Sequence, residues 1–207
     1  MRRLPLVHLI LVRHGQPDWQ TPRCISLSQF RQRAITYDAT HLSQQGSDAI
    51  RSLAARLPGA AILSSDLLRA RETAKILGRG TAAIRCDPLF RELQAPIIAS
   101  CLLDELRVPP IIWSLIHWCC WLVGIGQFSE RPRAAWNRAA KAAEKILSFE
   151  GGDTVVVVSH GWFIFLLTIY LRKRGLIVRG PFIPRLSFGG VTAYCVKADK
   201  GEKSSLI

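Results

Sequence analysis

The sequence predicts an α/β protein, built as a three-layer αβα sandwich around a mostly parallel central sheet. Short aliphatic runs that suit strands alternate along the chain with longer segments of helical periodicity. The composition is that of a globular protein, with 49% hydrophobic and 21% charged residues. Because 207 residues can bury a sizeable core, we expect one domain over 1–207, with an apolar inserted cover region around 94–130 and a frayed tail at 198–207.

Five segments are predicted to form strands because each is short and apolar. They are residues 6–12, 60–63, 82–86, 154–158 and 191–196. Four consecutive aliphatic residues at 9–12 are typical of a strand that is buried on both faces of a sheet. The valine-rich segment 154–158 has the strongest strand pattern in the chain.

Four segments are predicted to form helices from the spacing of their apolar residues. They are residues 44–57, 67–77, 132–149 and 162–171. Ser43 and Asp66 are candidate N-caps for the first two helices, since their side chains can accept hydrogen bonds from free backbone N–H groups. Pro17 and Pro22 interrupt the segment 16–40, which we expect to be irregular or partly helical.

The chain is strongly basic, with a formal net charge of +13. Such a charge favours anionic partners, which include phosphorylated small molecules, nucleic acid and acidic membrane surfaces. The basic residues are spread along the chain, apart from a small cluster at 172–174, and no nucleic-acid-binding motif accompanies them. We therefore expect an anionic substrate or surface, and no nucleic acid.

The cysteines and the start of the chain indicate a cytoplasmic protein. None of the six cysteines forms a CxxC pair, so we expect reduced, mostly buried thiols. No metal-ligand spacing is present, so no metal or cofactor is predicted. The start resembles a secretory signal, but its apolar run leads into Arg-His-Gly without a cleavage site of small residues.

Two predicted strands end in the same way. Leu-Val-Arg-His-Gly stands at 11–15 and Val-Val-Ser-His-Gly at 157–161. The C-terminal ends of parallel strands meet at one edge of a sheet, where open α/β proteins bind their ligands. We therefore expect His14 and His160 to face one pocket, with His14 as a candidate nucleophile and Arg13 beside it in an anion site.

Two further segments add charged groups to the same edge. The strand that ends at 64–65 leads into a helix whose first turns carry Arg69, and a guanidinium near a helix N-terminus suits phosphate oxygens. Glu92 adds a carboxylate in a loop or turn after Pro88. Each residue alone could be an ordinary surface or capping residue, but together they indicate phosphate chemistry.

With these motifs in this order, the chain resembles the histidine phosphatase superfamily, whose fold is shared with the phosphoglycerate mutases. The resemblance rests on Arg-His-Gly-Gln at 13–16, His-Leu-Ser-Gln-Gln-Gly at 41–46, the segment 64–74, Glu92 and Ser-His-Gly at 159–161. It runs from about Leu9 to Leu171, with a gap at 94–130.

The resemblance implies a metal-independent phosphomonoesterase that works through a covalent phosphohistidine. It implies that His14 is the nucleophile, that Arg13, Arg69 and His160 bind the phosphoryl group, and that Glu92 is the general acid and base. The substrate-binding set is completed by Gly15, Gln16 and Gly161. Because the position of the acid varies in the family, the nearby carboxylates Asp87 and Glu72 compete with Glu92.

Two other functions remain open. A phosphomutase would use the same residues and return the phosphoryl group to the substrate. A membrane- or protein-docking member of the family would keep the fold with little turnover. A cysteine-phosphatase motif is rejected, since the C-x5-R pattern at 101–107 contains two acidic residues and no glycine, and is expected to be helical.

The segment 108–129 has no charged residue and contains three tryptophans. Three interpretations are open: an apolar lid over the pocket, a surface that docks on a membrane or a protein, and a transmembrane helix. Its apolar centre is shorter than the roughly 20 residues that a membrane span requires. A lid predicts a phosphorylated small molecule with an apolar leaving group and a dry pocket around Glu92.

Overall fold

The computed structural model describes residues 6–80, 82–94, 105–127, 130–149 and 152–197. The elements are, in chain order, β1 (Leu6–Arg13), α1 (Leu27–Tyr37), α2 (Gln44–Ala54), β2 (Ala61–Ser64), α3 (Leu68–Gly78), β3 (Ile84–Cys86), a 3-10 turn (Pro88–Phe90), α4 (Pro110–Val123), α5 (Pro132–Leu147), β4 (Thr154–Ser159), α6 (Gly161–Lys173), β5 (Ile177–Arg179) and β6 (Val191–Lys197). The predicted α/β class is confirmed.

The strands form one sheet in the order β3-β2-β4-β1-β6-β5. The first four strands in this order are parallel to one another. Strand β6 is antiparallel to β1, and β5 at the edge is antiparallel to β6, so β5 runs in the same direction as the first four. The two strongest predicted strands, β1 and β4, lie next to each other inside the sheet. Strand β5 was not predicted because its three residues are too few to show a pattern.

Side chains of β1 alternate between two cores, one on each face of the sheet. Leu9 and Leu11 pack in a cluster with apolar residues of α5 and α6. Ile10 and Val12 pack on the other face with residues of α2 and α3. Because neighbouring residues of a strand point to opposite faces, four aliphatic residues in a row are needed to fill both cores. This arrangement gives the αβα sandwich.

Two glycines allow α2 to approach the chain that follows β1. A Cβ atom at Gly46 would lie 2.2 Å from the Gln16 carbonyl oxygen, and one at Gly15 would lie 2.9 Å from Cγ1 of Ile50. Ser43 caps α2 as predicted, since its hydroxyl accepts a hydrogen bond from the Gly46 N–H at 3.0 Å. The glycine and serine of the 41–46 motif therefore set the spacing between α2 and this loop.

The predictions for Asp66 and for the cysteines were wrong. Asp66 does not cap α3, which begins at Leu68 without a side-chain cap; Asp66 instead accepts a hydrogen bond from Nε of Arg91 at 2.7 Å. The cysteines are also not mostly buried, because three of the five described ones are exposed and two are half-buried. Cys86 lies on the edge strand β3, and Cys119 lies on the solvent side of α4.

Within the predicted cover region at 94–130, residues Pro110–Val123 form α4. Residues 95–104 and 128–129 lie outside the described residues, as do the tail 198–207 and four residues of the C-x5-R pattern. The described part of that pattern, 105–107, is not helical, contrary to the prediction. None of the helices in the described ranges combines the length and apolar character that a bilayer crossing requires.

Helix α4 packs through one face and exposes the other. Trp113, His117 and Trp121 repeat every four residues and are buried. Trp113 Nε1 donates a hydrogen bond to the Ile25 carbonyl at 2.8 Å, which ties α4 to the segment before α1. The opposite face is aliphatic and open: Ile111, Ile112, Leu115, Leu122 and Val123 are between 39% and 72% exposed. A lid alone does not explain this open face.

Candidate active site

The C-terminal ends of β1, β2 and β4 meet at one edge of the sheet. Arg13 pairs with Ser159 in the parallel register of β1 and β4. The His14 N–H then donates to the Ser159 carbonyl at 3.0 Å, and the Ser65 N–H to the Val158 carbonyl at 2.9 Å. The rings of His14 and His160 are consequently 5.0 Å apart. The structure therefore brings together the two histidines that the strand-end pattern predicted.

His14 is buried and is held in one tautomer. Its Nδ1 lies 2.8 Å from the Gly15 carbonyl oxygen, which can only accept, so Nδ1 carries the proton. Burial and then the charge of Arg69 lower the pKa of His14 to about 3. The imidazole is therefore neutral near pH 7, and its Nε2 lone pair faces Arg69 Nε at 3.3 Å.

Arg69 projects from α3 into the site and is almost completely buried. Its Nη1 donates to the Tyr37 carbonyl at 3.0 Å, and its Nη2 lies 3.3 Å from the Asp38 carboxylate. The Tyr37 ring lies 4.4 Å from the guanidinium carbon. One turn later, the Thr73 hydroxyl donates to the Arg69 carbonyl and accepts from the Gly15 N–H. The end of α1 and the loop after β1 thus fix this cation.

His160 lies at the start of α6, in contact with both Arg69 and Ser65. Its Nδ1 is 3.4 Å from Arg69 Nη2, and its Nε2 is 2.9 Å from the Ser65 hydroxyl. Burial, followed by the charges of His14 and Arg69, lowers the pKa of His160 well below its usual range. Because Arg69 Nη2 can only donate, Nδ1 accepts here, and the proton is on Nε2, which donates to the Ser65 hydroxyl. A hydroxyl can also donate to Nε2, so the proton can stand on Nδ1 once Arg69 donates to an anion instead.

Arg13 brings a second cation to the same edge. Its Nη1 donates to the Leu186 carbonyl, and its guanidinium lies 4.1 Å from the centre of the Phe188 ring. Its buried Nε has no acceptor among the described residues. A Cβ atom at Gly161 would touch the guanidinium carbon at 3.4 Å, so the glycine leaves room for this side chain. The free Nε is a donor available to an anion.

Glu92 lies in the loop after the 3-10 turn, with its carboxylate at the N-terminus of α6. Its Oε1 accepts from the Phe163 N–H at 2.9 Å, and its Oε2 lies 3.4 Å from the Trp162 nitrogen. Burial raises the pKa of Glu92, although these hydrogen bonds and the Arg13 charge act in the opposite direction. A carboxyl group with a raised pKa can keep and donate a proton.

The two competing carboxylates are occupied elsewhere. Glu72 accepts from His41 Nδ1 at 2.6 Å and from the Leu42 N–H at 2.8 Å. Asp87 pairs with Lys145. Although partial burial acts to raise the pKa of Asp87, hydrogen bonds from Lys145 and the backbone lower it overall. Of the three, Glu92 has the environment that a general acid requires.

Several residues of this site were not predicted from the sequence. Tyr37, Ser65, Thr73 and Phe188 contact the predicted residues. Two of them carry a sequence signal: Ser65 stands at the end of a predicted strand, and Thr73 follows Arg69 by four positions and so lies on the same helix face. The predicted Gln16 is exposed, and its backbone carbonyl accepts from the Ser43 N–H at 2.9 Å. The described ranges hold no cluster of three or more potential metal ligands.

Comparisons with known proteins agree with this arrangement. Residues 9–177 match the family model of the histidine phosphatase superfamily (branch 1). A comparison with curated proteins finds no match. A solved phosphoserine phosphatase mutant from Entamoeba histolytica, in complex with phosphoserine, has a TM-score of 0.59 at 18% identity, over 92% of this chain and 94% of that one.

Two other solved structures have similar folds. A phosphoglycerate mutase from Thermus thermophilus has a TM-score of 0.52 at 23% identity, over 90% of this chain and 92% of that one. A mycobacterial glucosyl-3-phosphoglycerate phosphatase has a TM-score of 0.55 at 24% identity, over 81% of this chain and 80% of that one. At these identities the likeness shows the fold alone. Since the family model matches most of the chain, the protein belongs to the histidine phosphatase superfamily, branch 1.

Proposed function

We propose that the protein is a phosphomonoesterase that passes the phosphoryl group to His14 and then to water, without a metal. The observation that carries this proposal is a neutral, buried imidazole with its Nε2 lone pair beside Arg69. The charge of Arg13, whose Nε is unpaired, also acts on this imidazole. Two fixed cations suit the charge of a transferring phosphoryl group. Positioning and electrostatic stabilisation of this kind account for most catalysis of phosphoryl transfer.

In the first step, His14 attacks the phosphorus atom. A phosphoryl oxygen takes the N–H groups of Arg69, which frees the Nε2 lone pair that Arg69 otherwise contacts at 3.3 Å. The new Nε2–P bond forms as the P–O bond to the leaving group breaks. The leaving oxygen takes the proton of the Glu92 carboxyl group, while Arg13 and the Nδ1–H of His160 donate to the remaining oxygens.

In the second step, water hydrolyses the phosphohistidine. The Glu92 carboxylate removes a proton from water as the water oxygen bonds to phosphorus. The N–P bond breaks, its electron pair returns to Nε2 of His14, and inorganic phosphate leaves. Glu92 is again protonated and His14 is again neutral, so both groups are ready for the next substrate. Between the two steps, the hydrogen bond from the Phe163 N–H at the N-terminus of α6 stabilises the ionised Glu92 carboxylate.

The substrate class we propose is a phosphorylated small molecule with an apolar leaving group. The Trp162 N–H faces Glu92, and the Trp162 ring lies 4.5 Å from that of Trp118 on α4. These two rings supply an apolar surface near the group that would protonate the leaving oxygen. A phosphomutase for a small, highly charged sugar acid would gain nothing from such a surface, which favours the phosphatase over the mutase.

Release of inorganic phosphate from single monoesters tests this proposal. With p-nitrophenyl phosphate or an alkyl phosphate, in the presence of EDTA, we expect steady phosphate release without any diphosphorylated priming compound. A longer alkyl chain should lower KM because it buries more apolar surface. Activity that appears only with a priming compound would instead establish the mutase. If no phosphoryl transfer occurs under either condition, the protein would instead be a docking member of the family with little turnover.

We further infer that the open face of α4 docks on an anionic lipid surface. Its five aliphatic side chains are exposed, and no charged residue occurs between 108 and 127. Arg107 and Arg131 are exposed beyond the two ends of the helix. A net charge of +13 attracts anionic headgroups and repels a second copy of the chain. An apolar helix face with basic residues nearby is typical of binding in the plane of a membrane.

Vesicle sedimentation tests this docking. We expect binding to vesicles that contain phosphatidylglycerol, and a loss of roughly tenfold or more in affinity when Leu122→Asp and Val123→Asp are combined. Val178→Asp, on the edge strand β5, is the matched control and should bind as the unmodified chain does. Equal binding of the α4 variant, or a stable dimer in solution that the variant dissociates, would refute lipid docking through this face.

A further inference from the structure

We propose that Arg138, on α5, is a positioning residue that holds the loop carrying Glu92. This inference rests on the proposed function, because Arg138 would position the proposed general acid, Glu92. Nη1 of Arg138 donates to the carbonyls of Leu89 at 2.9 Å and Arg91 at 2.7 Å. Its Nη2 lies 3.4 Å from the carbonyl of Glu92. One side chain thus binds three backbone carbonyls within residues 89–92, the last of which is the proposed acid.

The Arg138 guanidinium is itself fixed in position. Its Nε and Nη2 make two parallel hydrogen bonds to the Glu130 carboxylate, at 2.6 and 2.7 Å. Its carbon lies 4.4 Å from the centre of the Phe163 ring. The five contacts match the five N–H groups that a guanidinium carries, in the planar geometry of arginine. Lysine, with three donors at one point, could not make the same set.

These contacts hold the backbone around Glu92, while other hydrogen bonds hold its carboxylate. The carboxylate accepts from the Phe163 N–H, and the Phe163 ring also lies against Arg138. The Ser159 hydroxyl donates to the Phe90 carbonyl at 2.6 Å, so the loop is also fixed to the end of β4. Since Glu130 neutralises Arg138, the cation can hold the loop without acting as an unpaired charge beside the acid.

The same network of contacts extends to α4. Trp121 Nε1, on α4, donates to the backbone carbonyl of Glu130 at 2.9 Å. The side chains of Arg138 and Glu130 are 16% and 14% exposed, so this ion pair is largely shielded from solvent. A continuous set of contacts therefore runs from α4 through Glu130 and Arg138 to Glu92.

A comparison of two substrates separates a positioning role from a general loss of structure. The p-nitrophenolate anion leaves without a proton, whereas an alkoxide needs the proton of Glu92. We expect Arg138→Ala to lower kcat for ethyl phosphate by about 10- to 100-fold, since a small misplacement of a catalytic group costs this much. The loss with p-nitrophenyl phosphate should be several times smaller. Arg133→Ala, an exposed arginine on the same helix, should change neither rate.

Two further variants make the result decisive. Arg138→Lys keeps the charge and should fold even if Arg138→Ala does not, yet it should still discriminate against ethyl phosphate. Adding Arg138→Ala to Glu92→Gln should cost little more, because the group that Arg138 positions is already inactive. Equal losses with both substrates in a folded variant would overturn the role of Arg138. If Glu92→Gln itself shows no such discrimination, the proposed acid is wrong, and the role of Arg138 falls with it.

Discussion

Replacing His14 with alanine is expected to lower kcat for phosphate release by at least about a thousandfold, because the variant has no group to form the covalent intermediate. The two arginines and Glu92 would remain, so substrate binding should be weakened much less than turnover. The measurement is steady-state phosphate release with p-nitrophenyl phosphate, together with the thermal unfolding midpoint to confirm the fold. His8→Ala is the control, since His8 is an exposed histidine on β1, the strand that ends just before His14.

Chemical trapping tests the same residue without relying on a rate. A rapid quench with 32P-labelled substrate should give a labelled protein whose adduct is stable in alkali and labile in acid, as expected for a phosphoramidate. The label should be absent from His14→Ala and present in the His8→Ala control. Unchanged activity in His14→Ala, or a label that persists in it, would refute the proposed nucleophile.

The convergence of the site residues could be predicted because it follows from one property of parallel sheets. Strands 6–12 and 154–158 were recognisable from their aliphatic runs, and a histidine follows each of them by two positions. Their adjacency in the sheet then brings His14 and His160 to one edge, as the 5.0 Å between the rings shows. The common direction of the strands places both histidines at one edge, and the adjacency of β1 and β4 brings them into contact, so this part of the prediction did not depend on any contact between side chains.

The supporting residues could not be predicted, because long-range contacts bring them to the site. Tyr37 reaches Arg69 only because α1 ends there, and the sequence of 16–40 showed no clear helix. Phe188 lies in the turn before β6, where no pattern links it to Arg13. Arg138 looks like any arginine on the polar side of an amphipathic helix. Its contacts depend on where α5 packs against the loop after the 3-10 turn.

The errors at Asp66 and in the cysteines have a similar origin. Asp66 has the residue type of an N-cap, but a salt bridge with Arg91 engages its carboxylate instead. Cys119 lies within an apolar run, which suggested burial, yet α4 has more apolar residues than its one buried face can accommodate. Local propensity did not predict the role of Asp66, because a residue distant in the sequence binds its carboxylate. Composition did not predict the exposure of Cys119, because one face of α4 packs against nothing in the described residues.

Replacing Glu92 with glutamine is the second large effect expected, and its size depends on the leaving group. Loss of a general acid costs about 100- to 10,000-fold, and this loss should be seen in kcat/KM for ethyl phosphate. Much less should be lost with p-nitrophenyl phosphate, whose leaving group needs no proton. Glutamine keeps the shape, and its one carbonyl oxygen can still accept from the N–H groups of Phe163 and Leu93, so the variant should fold.

The pH dependence gives an independent test of both proposed roles. In the unmodified protein, kcat for ethyl phosphate at saturating substrate should fall as pH rises through the raised pKa of Glu92, since the acid then loses its proton. The quantity measured is kcat, because kcat/KM would also follow the ionisation of the free phosphate ester. At the acidic end, kcat should fall only near pH 3, where His14 becomes protonated. The Glu92→Gln variant should lose the alkaline fall and keep the acidic one. An alkaline fall that survives in the variant would show that another group donates the proton, because glutamine has none to lose in this range.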